Sequence, residues 1–274
     1  MDVLSAIILG LIQGATEFIP VSSSAHLCAF RIIFGFDPGQ TYPGLDTILH
    51  AGTLFAVLFA YRKELPGLGR AALTLPSVIL KKKRPDRDGR TVLFAVTATV
   101  PIVAAVLLGL GGLSERVSGS LSAIGALLMI NGIMLLTGDG VRGASLTADD
   151  VKPRHAIGVG LFQAVAALPG ISRSGATVTG GLLLGIRRDE AVRLSFICSI
   201  PAIFGACVLK FPDAVRSFTA GAAPVYAAGA LSAAAAGFLA IKLIKFIGEK
   251  PVFKYFSIYC FAAGVFALLY GIRG

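Results

Sequence analysis

Residues 13–26 read Gln13-Gly14-Ala15-Thr16-Glu17-Phe18-Ile19-Pro20-Val21-Ser22-Ser23-Ser24-Ala25-His26, a polar string inside apolar sequence. A second string, at residues 169–177, reads Pro169-Gly170-Ile171-Ser172-Arg173-Ser174-Gly175-Ala176-Thr177. Together they place a carboxylate, an imidazole, a guanidinium and a row of hydroxyls where lipid-facing residues are expected. An ionisable residue in a membrane segment costs roughly 2.5–3.5 kcal/mol on insertion scales, so it is normally kept for function. This set of groups suits the handling of a phosphate.

The composition is that of an integral membrane protein, because 55% of the 274 residues are hydrophobic and 15% are charged. The mean hydropathy is +0.80. The net charge of +10 does not indicate a nucleic-acid partner, since the densest basic cluster, at residues 81–90, lies between apolar runs. Such a cluster is typical of a cytoplasmic loop that touches anionic membrane lipids. The four cysteines are scattered without metal-ligand spacing and are predicted to be small core residues.

Six apolar runs are long enough to span a bilayer, which takes about 20 residues with a range of roughly 17–25. They are residues 45–61, 91–111, 118–138, 190–210, 224–246 and 253–272. Two regions, 3–35 and 156–186, instead hold two shorter apolar segments each, interrupted by a proline and a serine cluster. These regions predict re-entrant helical hairpins, which enter the membrane and return on the same side. The predicted fold is an all-α integral membrane protein with six transmembrane helices and two re-entrant hairpins.

One further apolar run does not fit a span. Residues 71–80 are flanked by charges and contain Pro76, which is expected to break the run. We predict that this segment lies along the membrane interface.

The distribution of lysine and arginine predicts the orientation of the chain. With loop 62–90 inside, the inner side collects nine basic residues from that loop and three from 139–155. Three arginines at 187, 188 and 193 and four basic residues in 242–254 bring the inner total to nineteen, against five outside. Basic residues concentrate on the cytoplasmic side of membrane proteins. Both termini of this multi-pass membrane protein are therefore predicted to lie outside.

An internal repeat supports this topology. At an offset of 150 residues, Gly10-Leu11-Ile12-Gln13 matches the Gly-Leu-Phe-Gln of residues 160–163, and Ser22 and Ser24 match Ser172 and Ser174. The chain is then a single membrane domain, 1–274, with one repeat at about 1–138 and another at about 156–272. Each repeat holds one hairpin and three spans. Because three is odd, the second copy is inverted, and the two hairpin tips can meet within the bilayer.

Helix geometry predicts what the tips present. Gln13 and Glu17 are four residues apart and share a helix face. Pro20 disfavours helix at the preceding residue, after which Ser22, Ser23 or Ser24 can cap a second helix. Pro169-Gly170 likewise stops a helix, and Ser172 or Ser174 caps the next. Each tip therefore presents a helix N-terminus with unpaired N–H groups, and two such ends around one cavity form an anion site.

The side chains of the strings suggest roles in phosphate chemistry. Arg173 supplies planar donors for phosphate oxygens, and serine hydroxyls and Thr177 supply more. Glu17 suits either a general base or a divalent-cation ligand with Gln13 beside it, although a structural pair with Arg173 is the plainer alternative. His26, the last residue of the first string, could be a nucleophile or a general acid/base. Ser23 is a further candidate nucleophile. His50 and His155 are given no role.

The chain resembles the bacterial undecaprenyl-pyrophosphate phosphatase family of the bacitracin-resistance type over nearly its full length. The resemblance rests on a (Glu/Gln)-x-x-x-Glu motif at Gln13–Glu17, a Pro-Val-Ser-Ser stretch ending in His26, and Pro-Gly-x-Ser-Arg-Ser-x-x-Thr at 169–177. It implies hydrolysis of undecaprenyl diphosphate to the monophosphate on the outer face of the plasma membrane, which recycles the lipid carrier for cell-wall synthesis. It also implies dependence on a divalent cation, Mg²⁺ or Ca²⁺.

Residue roles carried over from the family fall on both strings. Glu17 and His26 are expected in catalysis, with Ser23 a candidate nucleophile. The residues expected on the pyrophosphate are Ser172, Arg173, Ser174 and Thr177, joined by Ser22 and Gln13. Gln13 stands where many members of the family have Glu, so Glu17 and the phosphate oxygens would have to supply the anionic ligands of a cation.

Several alternatives stay open at the level of sequence. The nucleophile could be water, Ser23 or His26. A secondary transporter or flippase for a polyprenyl phosphate would use the same broken helices and anion site. Glu17 beside His26 and serines favours an enzyme, because simple carriage does not need these groups. The expected partners are the lipid substrate and membrane lipids. Glycine-rich helix faces also allow a homodimer.

Overall fold

The computed structural model of the chain describes residues 3–35, 44–216 and 220–273. These ranges are helical, with an isolated β-bridge between Leu146 and Ile186. The α-helices are α1 (Val3–Phe18), α2 (Ser23–Phe34), α3 (Leu45–Ala60), α4 (Leu65–Leu80), α5 (Arg87–Ala105), α6 (Gly111–Ser118), α7 (Leu121–Asp139), α8 (Pro153–Val165), α9 (Arg173–Leu183), α10 (Arg188–Arg216), α11 (Ala223–Ile247) and α12 (Phe253–Arg273). A π-helical turn, Val106–Leu110, joins α5 to α6, and a 3₁₀ turn, Ala220–Ala222, precedes α11.

Five helical segments among the described residues are long and apolar enough to cross a membrane. They are Arg87–Ser118, Leu121–Asp139, Arg188–Pro212, Ala223–Ile247 and Phe253–Ile272. The remaining predicted span, 45–61, forms α3 with 16 residues, which at 1.5 Å per residue is about 24 Å long. That length falls short of the hydrocarbon core, about 30 Å thick. The protein is a multi-pass helical membrane protein.

Both interrupted regions of the sequence form two helices joined by a short non-helical segment. Helix α1 ends at Phe18 and α2 begins at Ser23, while α8 ends at Val165 and α9 begins at Arg173. Proline and the serine clusters therefore end and restart the helices where the sequence predicts. Ser172 caps α9, because its hydroxyl accepts the backbone N–H of Gly175 at 3.2 Å.

The predicted serine cap of α2 is not found. Ser22 occupies the position before α2, but its side chain makes no capping hydrogen bond to that helix. Its hydroxyl instead accepts the backbone N–H of Gly170 at 3.1 Å, across to the second tip. The backbone of Ser22 has φ +71°, a left-handed conformation that is unfavourable for a residue with a Cβ. The contact between the tips thus replaces a local cap.

The prediction that Pro76 breaks its apolar run is wrong. Helix α4 continues through Pro76 to Leu80. A proline removes one backbone hydrogen bond, but hydroxyls can bond to carbonyls of the same turns. Thr74 donates to the carbonyl of Arg70 at 3.0 Å and Ser77 donates to that of Thr74 at 2.8 Å. These bonds lie within the same helix, which continues past the proline with one backbone hydrogen bond missing.

Helices of the two halves pack against each other through glycines. Helix α1 packs on α11 and α8 packs on α5, so each interrupted region lies against a span from the other half. A Cβ on Gly10 would come within 2.5 Å of the carbonyl oxygen of Gly229, and one on Gly160 within 2.7 Å of that of Ala98. Small residues allow such backbone approach in membrane proteins. This exchange of partners draws the two tips together.

Candidate active site

A cavity of about 240 Å³ lies where the two tips meet. Its polar lining comes from both strings of the sequence and from α3. These residues are Thr16, Glu17, Ser22, Ser23, Ser24, Ser172, Arg173 and His50. The rest of the lining is apolar and consists of Ile102, Ala166, Ala167, Ile171, Ala202, Ile203 and Ala206. The lining therefore combines charged and hydroxyl side chains with apolar side chains.

Glu17 and Arg173 form an ion pair at the centre of the polar lining. Nη2 of Arg173 lies 2.8 Å from Oε1 of Glu17. The side chain of Arg173 is 12% exposed and that of Glu17 is 8% exposed. Removing one member of such a pair leaves an uncompensated buried charge, which is strongly destabilising. The shared pocket on which the phosphate hypothesis depends is present.

The second carboxylate oxygen of Glu17 faces its own string. Ser23 donates its hydroxyl to Oε2 at 2.7 Å, and Gln13 donates Nε2 to the same atom at 3.1 Å. The carboxylate is therefore held in one orientation by three side chains. A serine hydroxyl bonded to a carboxylate is the arrangement of a nucleophile beside its base.

Arg173 keeps one nitrogen available for a ligand. Its Nη1 atom is buried and has no hydrogen-bond partner among the described residues. A buried donor without a partner costs free energy, and such groups in native proteins usually have a functional reason. Arg173 is also the first residue of α9, where the helix N-terminus favours an anion. The unpaired donor and the helix end both suit a phosphate oxygen.

Three of the six predicted phosphate ligands, Gln13, Ser174 and Thr177, do not line the cavity. Ser174 is buried outside the cavity lining, with its hydroxyl 3.1 Å from that of Ser172. Thr177 Oγ1 lies 2.9 Å from the carbonyl oxygen of Arg173 and 2.6 Å from Oγ of Ser195. The Thr177 hydroxyl therefore connects the first turn of α9 to Ser195 of α10. Ser195 was not suggested by the sequence, since a serine in an apolar run carries no signal of its own.

His26 lies outside this cavity and is engaged through both ring nitrogens. Nδ1 is 2.8 Å from the carbonyl oxygen of Ser22 and therefore donates to it, while Nε2 is 2.6 Å from the Tyr259 hydroxyl. The two rings are stacked with centroids 5.7 Å apart. His26 thus ties the strained backbone of Ser22 to α12. It borders a separate apolar groove of about 160 Å³ between α2, α7 and α12.

His50, which the sequence does not associate with either string, lines the cavity. Its Nδ1 donates to the carbonyl oxygen of Asp46 one turn earlier at 2.8 Å, so Nε2 is the ring atom left for the cavity. Asp46 forms an ion pair with Arg31 of α2. That pair joins the start of α3 to the last turn of α2. The spacing of His50 from the strings along the chain hides this placement.

Asn131, which the sequence did not single out, joins the two tips. It is fully buried in α7 and donates Nδ2 to the carbonyl oxygen of Pro20 at 3.0 Å. Its Oδ1 accepts the backbone N–H of Ser172 at 2.9 Å. Both ends of one amide are thus used to satisfy backbone groups of opposite tips. A single asparagine inside the apolar run 118–138 was the available signal.

The residues do not form a cation site by themselves. In the part of the chain that the structure describes, no three His, Cys, Asp or Glu side chains come together to hold a metal ion. Glu17 already accepts from Arg173, Ser23 and Gln13. The Oε1 atom of Gln13 is buried and has no partner within residues 3–35, 44–216 and 220–273, but Gln13 does not line the cavity. A Mg²⁺ or Ca²⁺ ion prefers several oxygen ligands, so most of them would have to come from outside the protein.

The fold and site define a class: a multi-pass helical membrane protein with an arginine–carboxylate–serine cavity between two broken-helix tips. The chain belongs to the family described as bacitracin resistance protein BacA, whose family model matches residues 6–266.

Individual relatives agree with this membership. A protein of Desulfosudis oleivorans named undecaprenyl-diphosphatase is 39% identical over 283 residues, covering 100% of both chains. One of a Nocardioides species with the same name is 41% identical over 216 residues, covering 78% of this chain and 76% of that protein. A protein of Rubrobacter xylanophilus with the same name is 36% identical over 273 residues, covering 98% of this chain and 99% of that protein.

Proposed function

We propose that the protein hydrolyses undecaprenyl diphosphate to undecaprenyl phosphate and inorganic phosphate. Relatives that bear the name of this activity match the chain over its whole length. The observation that carries the proposal is Glu17 in contact with both Arg173 and Ser23 inside one cavity. The reaction would recycle the lipid carrier of cell-wall synthesis, and the family's link to bacitracin resistance fits that role.

The diphosphate would bind at the polar end of the cavity. Phosphoryl transfer is catalysed mainly by positioning and by stabilising charge on the phosphate oxygens. Nη1 of Arg173 is a preoriented donor without a partner among the described residues. The hydroxyls of Ser22, Ser24 and Ser172 line the same space. These groups would hold the terminal phosphate beside Ser23.

The contact between Ser23 and Glu17 supports Ser23 as the nucleophile. Glu17 would take the hydroxyl proton as Oγ bonds to the terminal phosphorus. The bond from that phosphorus to the bridging oxygen breaks, and its electron pair stays on undecaprenyl phosphate. Water then attacks the phosphoserine, releasing phosphate and restoring the hydroxyl. His26 is less suited to attack, because both ring nitrogens are engaged outside the cavity.

A divalent cation would bind together with the substrate. Glu17 would be its carboxylate ligand and the diphosphate oxygens would complete its oxygen shell. When bound, the ion supplies positive charge that stabilises the phosphate oxygens. Gln13 would orient Glu17 through the bond from Nε2.

The positions of the lining residues support an active site open to the outer side. His50 lies near the start of α3, whose other end is followed by Arg62 and Lys63. Ile102 and Ala206 likewise lie away from the ends of α5 and α10 that carry Arg87 and Arg193. The cavity is therefore in the half of the protein that is poor in basic residues. By the positive-inside rule this half faces outward, and both termini would lie on the same side.

The finer topology is part of the proposal. The α1–α2 and α8–α9 pairs would be re-entrant hairpins, with α3 as a sixth, short span and the two halves related by inversion. The reciprocal packing of α1 on α11 and of α8 on α5 supports this arrangement. A homodimer through exposed helix faces would leave the chemistry unchanged, because one chain supplies both tips.

Phosphate release from the detergent-solubilised protein tests the function, since no membrane remains across which transport could occur. The wild type is expected to release phosphate from undecaprenyl diphosphate. Glu17→Gln should lower the rate by about 10²–10⁴-fold, the range for loss of a general base. Size-exclusion and thermal-melting profiles check that the variant stays folded. Near-normal turnover by Glu17→Gln would refute its role as base, and no release by the wild type would refute the function.

A further inference from the structure

The apolar wall of the cavity comes from three elements that contribute little polar lining. Ile102 belongs to α5, Ala166 and Ala167 follow α8, and Ala202, Ile203 and Ala206 belong to α10. We call these six residues the alanine slot. Four of the six are alanines, so this side of the cavity is wide as well as apolar.

Small residues and prolines of α5 and α10 lie beside the slot. Ala202 and Ala206 are one turn apart and present one face of α10 to the cavity. Pro101 and Pro201 lie inside their helices directly before Ile102 and Ala202. A proline within a helix removes a backbone hydrogen bond and bends the helix at that level. Both helices therefore continue past the cavity with one backbone hydrogen bond missing.

The slot reaches the lipid-facing surface. Within the same lining, Glu17 is 8% exposed, whereas Ala206 is exposed. The neighbouring surface of α5 and α10 is apolar, with Phe204 58% and Val103 50% exposed. Since both belong to segments long enough to span a membrane, this surface meets hydrocarbon. A bulky apolar group could enter the cavity sideways without crossing water.

We propose that the alanine slot holds the first isoprene units of the substrate's polyprenyl chain, which enters laterally from the bilayer between α5 and α10. The assignment rests on the proposed function, because a headgroup held by Arg173 must have its chain leave the same cavity. An isoprenoid chain offers no hydrogen bonds and gains about 25 cal/mol per Å² from apolar burial. The slot is the apolar continuation of the cavity that contains Arg173.

The groove beside His26 is the competing location for the chain. It is lined by apolar residues that include Ala25, Ala29 and Ala263. Its lining shares no residue with that of the cavity that holds Glu17. A chain in this groove would have to pass around α2 from the phosphate, so the slot is the shorter route. Ala29 provides a matched control for Ala206, because both are alanines on a spanning or hairpin helix.

Steady-state kinetics on the full-length protein in detergent separates the two locations. Ala206→Phe should lower kcat/KM for undecaprenyl diphosphate by about tenfold or more, mainly through KM, as expected when a pocket loses room for its apolar group. Ala29→Phe should stay within about twofold of the wild type. Thermal melting of both variants shows that neither is unfolded. An unchanged kcat/KM in Ala206→Phe, or the larger loss in Ala29→Phe, overturns the slot.

Photolabelling tests the same proposal without a mutation. A polyprenyl diphosphate with a diazirine in its first isoprene units should label peptides containing Ile102 or Ala206, and undecaprenyl diphosphate should compete the label away. Label on α2 and α12, or label that resists competition as a general lipid contact would, overturns the slot. A wild type that releases no phosphate would instead refute the proposed function, so the two failures are distinguishable.

Discussion

Nη2 of Arg173 lies 2.8 Å from Oε1 of Glu17, joining two polar strings whose residues are 156 positions apart. The pair leaves one guanidinium nitrogen without a partner in the described part of the chain, and one carboxylate oxygen in contact with Ser23. A structural pair alone would explain the contact between Glu17 and Arg173. It does not explain why a residue of the cavity lining keeps a buried guanidinium nitrogen without a partner among the described residues, which is the feature that favours an anionic ligand.

Arg173→Lys should impair the enzyme far more than retention of the charge suggests. Lysine has no planar fork, so it cannot pair with Glu17 and bind a phosphate oxygen at once. We expect kcat/KM to fall by about 10²-fold or more, as for loss of a preoriented donor. Arg188→Lys is the matched control, because Arg188 forms a similarly buried pair with Asp139 away from the cavity. Equal effects of the two substitutions on phosphate release would contradict the phosphate-binding role.

Ser23→Ala should remove activity if Ser23 is the nucleophile. The expected loss is about 10²-fold or more, because Glu17 would then have to activate water in the same place. Ser232→Ala on α11, where the hydroxyl bonds within its own helix, is the control and should keep wild-type turnover. Rapid quenching followed by mass spectrometry should find phosphate on Ser23 in the wild type. Full turnover by Ser23→Ala would leave water as the attacking group.

His26 and Tyr259 should behave as one structural unit. Each of His26→Gln and Tyr259→Phe breaks the contact that ties the first tip to α12, so each should lower the melting temperature. The double variant should cost little more than His26→Gln alone, since that variant already removes the contact with Tyr259. Turnover is expected to fall in parallel in all three. An active Tyr259→Phe beside an inactive His26→Gln would show that the imidazole acts in catalysis itself.

Asn131→Leu should loosen the contact between the tips. The substitution leaves the backbone N–H of Ser172 and the carbonyl of Pro20 without their amide partners, at about 1–3 kcal/mol for each unsatisfied group. We expect a lower melting temperature and a raised KM. Thr99→Val is a control, because the Thr99 hydroxyl bonds to Ala95 within its own helix. A KM unchanged in Asn131→Leu would mean that the tips keep their positions without this amide.

The division of the chain into helices was largely predictable from sequence. Apolar length marks the long spans, and Pro20, Pro169-Gly170 and the serines mark where the interrupted helices end and begin again. These are local properties, since they depend on neighbouring residues and on the length of an apolar run. Gln13 and Glu17 share a face for the same reason. The prediction for Pro76 is wrong because a helix can continue through a proline with the loss of one backbone hydrogen bond.

The composition of the cavity was only partly predictable. The strings themselves indicated Glu17, Ser23 and Arg173, because charged and hydroxyl groups are costly in a membrane without a purpose. The direction of each side chain was not predictable, and His26 and Thr177 turn away from the cavity while His50 lines it. The sequence hardly indicates that Asn131 lies between the two tips.

What the sequence by itself determined is therefore the class of protein, the helix breaks and the kinds of groups available for phosphate chemistry. The tertiary structure alone decided that α1 packs on α11 and α8 on α5, which brings Glu17 to Arg173 and places His50 rather than His26 in the cavity. Hydropathy and helix termination depend on short stretches of chain. The meeting of residues 156 positions apart depends on how glycine-lined helix faces fit together, and no short stretch encodes that fit.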